Sequence, residues 1–370
     1  MKLGFKMSAA CLATCFCGFS AYAGGIAQED LTAAGAGVAN AVVAGADDLS
    51  AAFYNPSGLA WQEGVQGMIG NQSRYRTLSG NVGPGDGRLK DLTIFAVSWM
   101  PEGSNWGMAT SIVTPYSRRT RWKGTFADQL YETRVDLQRY SVDGYWRLNN
   151  STGVSLGFDL YDSSLVMNSS GQSFSGSGWS NVGAHAGLRW EFTPFWTLGV
   201  TLRQGTDVKV SNNSGLSADI TTPEEMSVGL AHDLLDDEMR IELDVKHSKW
   251  SSFQDLSVSN VGTVSQSLAV NLKDSTDVML GLTWFWRDET QFRMGYAYEQ
   301  GANELNGYQP AIGDQTGHRI SLGFGGQMSG MHLDVTWAGV YYPNIEATGA
   351  YAGTYSDARY SLMFTLTKKF

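Results

Sequence analysis

Residues 24–63 read GGIAQEDLTAAGAGVANAVVAGADDLSAAFYNPSGLAWQE. This stretch is rich in Ala and Gly, shows no period-2 alternation, and ends in a turn at Asn55-Pro56-Ser57-Gly58. From Val65 onward the chain alternates apolar with polar or small residues, which is the β-strand pattern. A soft, partly helical segment ahead of a long all-β region reads as a plug set before the barrel it fills.

Fourteen alternating segments are expected, at 65–76, 90–100, 105–121, 133–148, 152–166, 178–192, 196–211, 223–234, 238–249, 275–287, 290–300, 315–327, 331–345 and 354–370. Nearly all exceed the roughly 9–11 residues that a tilted membrane-spanning strand needs. Val278, Leu280, Leu282, Trp284 and Trp286 share one face, as do Ile241, Leu243 and Val245, while Glu242, Asp244 and Lys246 take the opposite one. Apolar-out and polar-in is the membrane-barrel pattern. A soluble sandwich with one buried face would alternate in the same way. The many Trp and Tyr at segment ends favour the membrane.

The connections alternate between long and short. Asn149–Ser151, Asp288–Glu289 and Met328–Gly330 are among the short ones; 77–89, 122–132, 167–177, 212–222 and 250–274 are among the long ones. Outer-membrane barrels have short periplasmic turns and longer outer loops. An even strand number places both barrel ends on the periplasmic side, where residues 24–63 can enter the bore from below. The predicted fold is therefore all-β: a 14-stranded antiparallel transmembrane β-barrel with an N-terminal, partly helical hatch inside the lumen. Its divisions are a signal peptide (1–23), the hatch (24–63) and the barrel (64–370). Phe370, after alternating apolar residues, reads as the signal by which a barrel assembly machinery inserts such chains. Outer-membrane lipid and lipopolysaccharide are the expected surroundings.

Composition agrees. Of 370 residues, 17% are charged and 12% aromatic, with 44 Gly; this is poor in charge for a soluble protein, and aromatic girdles are a barrel feature. Lys2 and Lys6, the apolar run Met7 to Phe19 and Ala21-Tyr22-Ala23 form a secretory signal, so the mature chain is expected to begin at Gly24. A lipoprotein reading at Cys15 or Cys17 is disfavoured, because Thr14 and Phe16 stand where a small residue is usual. All three cysteines fall in the signal, leaving no disulfide or thiolate metal site in the mature chain. Loss of Lys2 and Lys6 takes the net charge from −10 to −12. An acidic chain without Lys/Arg clusters argues against nucleic acid.

Within the hatch, Ala-rich runs at Leu31–Ala34 and Val38–Ala44 are candidate short helices. Asp30 or Thr32 is placed to cap the first, and Asp47 or Asp48 a second. Gly35, Gly37 and Gly45 would interrupt anything longer. Pro56 biases Asn55 out of the helical region and ends a helix there. Phe53, Tyr54 and Trp61 are apolar bulk that a flexible linker would not carry.

At these residues the chain resembles the FadL/TodX family of outer-membrane transport proteins for long-chain fatty acids and aromatic hydrocarbons. The resemblance lies in Gly35-Ala36-Gly37, in the run ending at Ala46-Asp47-Asp48, and in Asn55-Pro56-Ser57-Gly58-Leu59, where the family usually shows Asn-Pro-Ala. It implies a hatch motif at Gly35, Gly37, Asp47, Asp48, Asn55, Pro56, Ser57 and Gly58. It also implies that the mature terminus, with Ile26, reaches a ligand pocket, and that cargo leaves sideways through a wall gap at a kinked early strand. Pro115 is the residue suited to disrupt pairing there.

No G-x-S-x-G, H-E-x-x-H or phosphate-loop motif is present. The five His are scattered without ligand spacing, so no cofactor, metal site or enzymatic activity is expected. Gly323-x-Gly325-Gly326 reads as small-residue packing in a strand. Parity points Arg139, Asp143, Arg147, Asp159, His185, Arg189, Arg203, Glu242, Asp244, Lys246, Arg293, Glu299 and Asp334 into the lumen. Such mixed charges brace a wall and hold a hatch; alternatively Arg139, Arg189, Arg203 or Arg293, with Phe53, meets a fatty-acid carboxylate, which Arg can bind bidentately. The outer loops carry apolar Phe126, Leu130, Leu165, Met167, Phe253 and Leu256, which form either a capture groove for hydrophobic ligand or a packed lid. The expected function is passive uptake of hydrophobic molecules; the alternatives are a general porin for small polar solutes and an outer-membrane lipid-hydrolysing enzyme.

Overall fold

In a computed structural model, the described residues are 25–28, 30–80, 83–86, 91–122, 130–169, 173–235, 237–253, 255–260, 263–269, 272–287, 290–303, 310, 313–348 and 352–370. The proposed signal at 1–23 lies outside them. Twenty strands follow one another: β1 (Gly64–Gly80), β2 (Gly83–Asp86), β3 (Leu92–Met100), β4 (Trp106–Trp122), β5 (Leu130–Asn149), β6 (Thr152–Ser169), β7 (Ser173–Trp179), β8 (Gly183–Thr193), β9 (Trp196–Arg203), β10 (Asp207–Ser211), β11 (Ser217–Thr221), β12 (Glu225–Leu234), β13 (Met239–Ser248), β14 (Asp255–Asn260), β15 (Thr263–Ala269), β16 (Ser275–Trp286), β17 (Thr290–Glu299), β18 (Gly317–Met328), β19 (Met331–Ala347) and β20 (Gly353–Lys369).

Fourteen of them close a ring in the order β1-β3-β4-β5-β6-β8-β9-β12-β13-β16-β17-β18-β19-β20, every neighbour antiparallel. Closure is made by β1 against β20, from Gln66↔Lys369 to Ser79↔Ser356, and Phe370 N–H donates to Val65 O at 2.9 Å. A closed ring leaves no unpaired strand edge, as a bilayer requires.

The outward face is greasy. Leu230, Leu243, Leu280 and Tyr296 lie opposite one another across four staves, all exposed. Trp284, Trp286, Phe292 and Phe324 form one aromatic cluster near the short turns, and Trp99 meets Trp106 edge-on at 5.7 Å. Tyr and Trp rings of this kind suit the membrane–water boundary.

Two expectations about strands need correction. The segments 178–192 and 196–211 are each split: the ring members are β8 and β9, which begins and ends at 183 and 203, while β7 and β10 belong to an outer extension. The long outer connections 77–89, 167–177, 212–222 and 250–274 contain β2, β7, β11, β14 and β15 rather than loop alone. Beyond the bilayer the chain keeps pairing, because an inward apolar face still has something to pack on. Val208, Val210, Ala218, Ile220, Leu256 and Val258 turn into one buried cluster.

Placing a cation at the apolar midplane should be costly. Leu243→Arg is expected to lose about 2–4 kcal/mol of barrel stability, read by urea unfolding in lipid vesicles.

Candidate functional site: the hatch and the pocket above it

The hatch lies inside the ring. Its helices are α1 (Ala33–Gly37) and α2 (Ala51–Tyr54), followed by a 3-10 turn at Pro56–Trp61. Thr32 caps α1, its Oγ1 accepting from Gly35 N–H at 3.1 Å. Asp48 Oδ1 accepts from Ser50 N–H at 2.8 Å and turns the chain into α2. The expected helix at Val38–Ala44 does not form. Its backbone N–H groups are claimed by the wall instead: Val42 and Val43 donate to Asp244 Oδ2 at 2.7 and 2.8 Å, and Ala44 and Gly45 to Glu242 Oε1 at 2.6 and 3.1 Å. Two carboxylates, two residues apart on β13, thus hold four consecutive N–H groups.

The hatch motif sits where backbones crowd. A Cβ on Gly35 would come within 2.6 Å of the Tyr54 hydroxyl, and one on Gly58 within 2.1 Å of Ala46 O. Gly37 Cα is 3.0 Å from where a Cβ on Gly323 would stand, so that strand glycine is indeed a packing site. Asn55 Nδ2 donates to Val43 O at 2.7 Å and to Leu188 O on the wall at 3.1 Å, and Ser57 Oγ donates to Asn55 Oδ1 at 2.6 Å. Pro56 opens the 3-10 turn with Asn55 extended before it (φ −146°). Asp47 pairs with Arg240 at 3.0 Å.

Sequence reading missed a belt of inward glycines. Gly187, Gly199, Gly229, Gly281, Gly295 and Gly323 are spread over six staves, and a Cβ on each would meet a neighbour at 2.1–2.9 Å. At Gly199 that neighbour is Val43 O, at 2.1 Å, and at Gly295 the Val38 carbonyl carbon, at 2.2 Å. The signal was available: parity already turns these positions inward, where small residues leave room for another backbone.

Higher up, the chain start is strapped down. Gln28 N–H donates to Pro115 O at 2.7 Å, Ala27 bridges Tyr116, and the Gln28 side chain bonds Gln72 on β1. Gly25 N–H donates to Asp314 Oδ2 at 2.9 Å, and Arg118 Nη1 donates to Gly25 O at 2.8 Å. Ile26 is buried among Tyr116, Tyr161 and Trp250. Asp30 binds Arg319, Asn40, Gln72 and Ser361; burial pushes its carboxyl up, but Arg319 and Asn40 hold it below the usual range.

Beside the strap the wall is irregular. Pairing of β3 with β4 stops at Phe95↔Ile112, and the β4–β5 register shifts between Val113 and Tyr116. Pro115 has no N–H to give to a ladder, so its carbonyl is left for Gln28.

Between the strap and the hatch lies a cavity of about 60 Å³ lined on one side by Leu31, Val43, Phe53, Tyr54, Tyr116 and Met279. Its lining also includes Arg139, Arg203, Glu225 and Lys246, with Gln28, Asn40, Thr201 and Ser227. Of the four arginines singled out above, Arg139 and Arg203 reach this cavity. Arg189 instead donates to Ala44 O at 3.0 Å, and Arg293 pairs with Asp334 at 2.7 Å, both against the hatch. Leu165, Met167, Phe253 and Leu256 are not displayed on the outer surface; they are buried in the outer apolar cluster with Ile26. Phe126 and the Leu130 side chain lie outside the described residues. Parity had not flagged Glu225 or Arg319, although both stand on inward positions of their strands.

A bore filled by its own N-terminal segment, inside a greasy fourteen-stave ring with a cavity above the hatch, defines a plugged outer-membrane transport barrel. A family model described as outer membrane protein transport protein (OMPP1/FadL/TodX) matches residues 160–342, and the chain is similar to that family over this stretch. The long-chain fatty acid transport protein of Escherichia coli (strain K12) is 22% identical over 313 residues, covering 65% of this chain and 70% of that protein. The crystal structure of a Pseudomonas aeruginosa FadL homologue superposes with a TM-score of 0.79 at 17% identity, covering 94% of this chain and 100% of that one. The P. putida toluene transporter TodX superposes at 0.66 with 13% identity, covering 87% and 94%. The protein is an outer-membrane β-barrel channel.

Two outcomes follow from the site. Gly199→Ala combined with Gly295→Ala should unseat the hatch: conductance in planar bilayers rises and residues 25–63 become protease-sensitive, while the heat-dependent gel shift of the intact barrel persists. Asp314 gives a pH signature. Burial pushes its carboxyl from 3.8 up to about 6, against the pull of Arg118 and two backbone N–H donors. The native state therefore holds more protons than the unfolded chain between those two values, and the contribution of Asp314 to stability declines as pH rises through that window. Asp314→Asn should remove this component of the slope, measured by hydrogen exchange at residues 25–28 between pH 4 and pH 8.

Proposed function

We propose that the protein lets hydrophobic molecules, fatty acids or hydrocarbons, cross the outer membrane passively, in a sequence of capture, pocket binding and hatch rearrangement. The observation that carries this reading is the cavity, apolar at Leu31, Val43, Phe53 and Met279, that lies against both the hatch and the bulge at Pro115. At about 60 Å³ it is smaller than the roughly 150 Å³ that holds benzene in an engineered apolar cavity. Cargo therefore enters only when its walls part, the strap at Ala27 and Gln28 among them. Capture would begin at the outer apolar cluster, with Leu165, Met167, Phe253, Leu256 and Ile26 separating to admit cargo from outside. Exit follows the bulged β4 sideways into the bilayer, where an apolar molecule needs no water-filled path.

Nothing in this sequence of steps requires catalysis or an energy source, and we read the protein as a channel rather than an enzyme. Lipid and lipopolysaccharide would contact the aromatic outer face, and the assembly machinery would read the strand ending at Phe370. A general porin is less well supported, since the hatch occupies the bore.

The test is uptake into proteoliposomes. Toluene or dodecanoate should enter faster than into empty vesicles, while sugar-driven swelling stays at background. Sugar influx without hydrophobic uptake would identify a porin; released fatty acid from phospholipid would identify a hydrolase.

A further inference from the structure

The cavity between strap and hatch contains more charge than an apolar cargo needs, and the arrangement of that charge is specific. Its three cations are Arg139, Arg203 and Lys246. Lys246 Nζ lies 2.8 Å from Glu225 Oε1, which also accepts from the Tyr116 hydroxyl at 3.2 Å. Arg203 pairs with Asp159 Oδ2, and Arg139 Nε stands 3.9 Å from Asp159 Oδ1 while its Nη2 donates to Phe53 O at 3.1 Å. Behind them His185 bridges Asp143 at 2.6 Å and Asp159 at 3.1 Å. Three cations thus face three carboxylates, Asp143, Asp159 and Glu225, all with little or no solvent contact.

Such a set is closed to an incoming anion. A carboxylate entering here must shed its water and compete with carboxylates already in place, Glu225 at Lys246 and Asp159 shared by Arg203 and Arg139. Displacing Glu225 from Lys246 would only transfer the unpaired buried charge to Glu225, and one partner of a buried pair left alone is strongly unfavourable. An uncharged molecule meets Leu31, Val43, Phe53 and Met279 and disturbs none of the pairs.

We propose that Glu225 and Asp159 are specificity-determining residues that reserve this pocket for uncharged hydrophobic cargo, a hydrocarbon or a neutral ester, over the free acid. This rests on the transport reading above. Glu225 is the sharper of the two, because it neutralises the lysine that would otherwise be the natural carboxylate partner.

The test compares dodecane, methyl dodecanoate and dodecanoate on the purified full-length channel at pH 7.5, by calorimetry in detergent and by uptake into proteoliposomes. The wild type should bind the ester at least about tenfold more tightly than the acid, a difference of about 1.4 kcal/mol. Glu225→Gln keeps an acceptor for Tyr116 but takes the carboxylate from beside Lys246, and should raise affinity for the acid about tenfold relative to the ester. The reversed pair, Glu225→Lys with Lys246→Glu, should restore preference for the ester and keeps the test open if the single variant folds poorly. Acid bound as tightly as ester by the wild type, or an acid-to-ester ratio unmoved in Glu225→Gln, overturns the proposal. If none of the three compounds binds or enters, the transport reading itself fails and takes this inference with it.

Discussion

The structure turns on four backbone N–H groups. Val42 to Gly45 cross the bore without a helix or strand of their own, and the strands beside them are paired with one another in ladders. Buried N–H groups without acceptors are costly. Glu242 and Asp244 provide those acceptors from the wall. Elsewhere the same solution recurs: Asn55, Arg189, Ser321 and Thr336 each bond hatch or wall backbone. The inward polar residues of the barrel act as the hatch's missing secondary structure, which is why a chain with few charges concentrates them on that face.

Seating a folded segment against a wall also needs space. The glycine belt creates a trough in which the hatch backbone lies at distances no Cβ would permit. Contact this close on many staves makes the hatch a rigid stopper below, in contrast to the chain start above. There Gly25 to Gln28 lie along the wall as a single strap, held by Asp314, Arg118, Pro115 and Gln72. The strap covers the one stretch of β4 where a proline and a bulge interrupt pairing.

That pocket separates two apolar clusters, one among the outer strands around Trp250 and one around the hatch at Phe53 and Leu59. Tyr116, on the bulged strand, reaches across to Glu225 on the far wall. A movement of β4 and a change in the charge pairing of Lys246 are thus physically linked through one hydroxyl.

The sequence by itself determined the class of fold. Period-2 alternation and alternating loop lengths were enough to draw fourteen staves, because the bilayer imposes one apolar face on each of them. Parity also turned Glu242, Asp244, Arg139 and Arg203 inward before any coordinates, since residue spacing along a strand is fixed. It left open what those side chains would meet. That Glu242 and Asp244 hold Val42 to Gly45, that Arg189 serves the hatch while Arg203 faces the pocket, and that Leu165 and Phe253 lie buried depend on depth and on neighbours hundreds of residues away. The Ala-rich run at 38–44 shows the limit most plainly: its local propensity favours a helix, and only the closed barrel supplies the acceptors that hold it in turns instead.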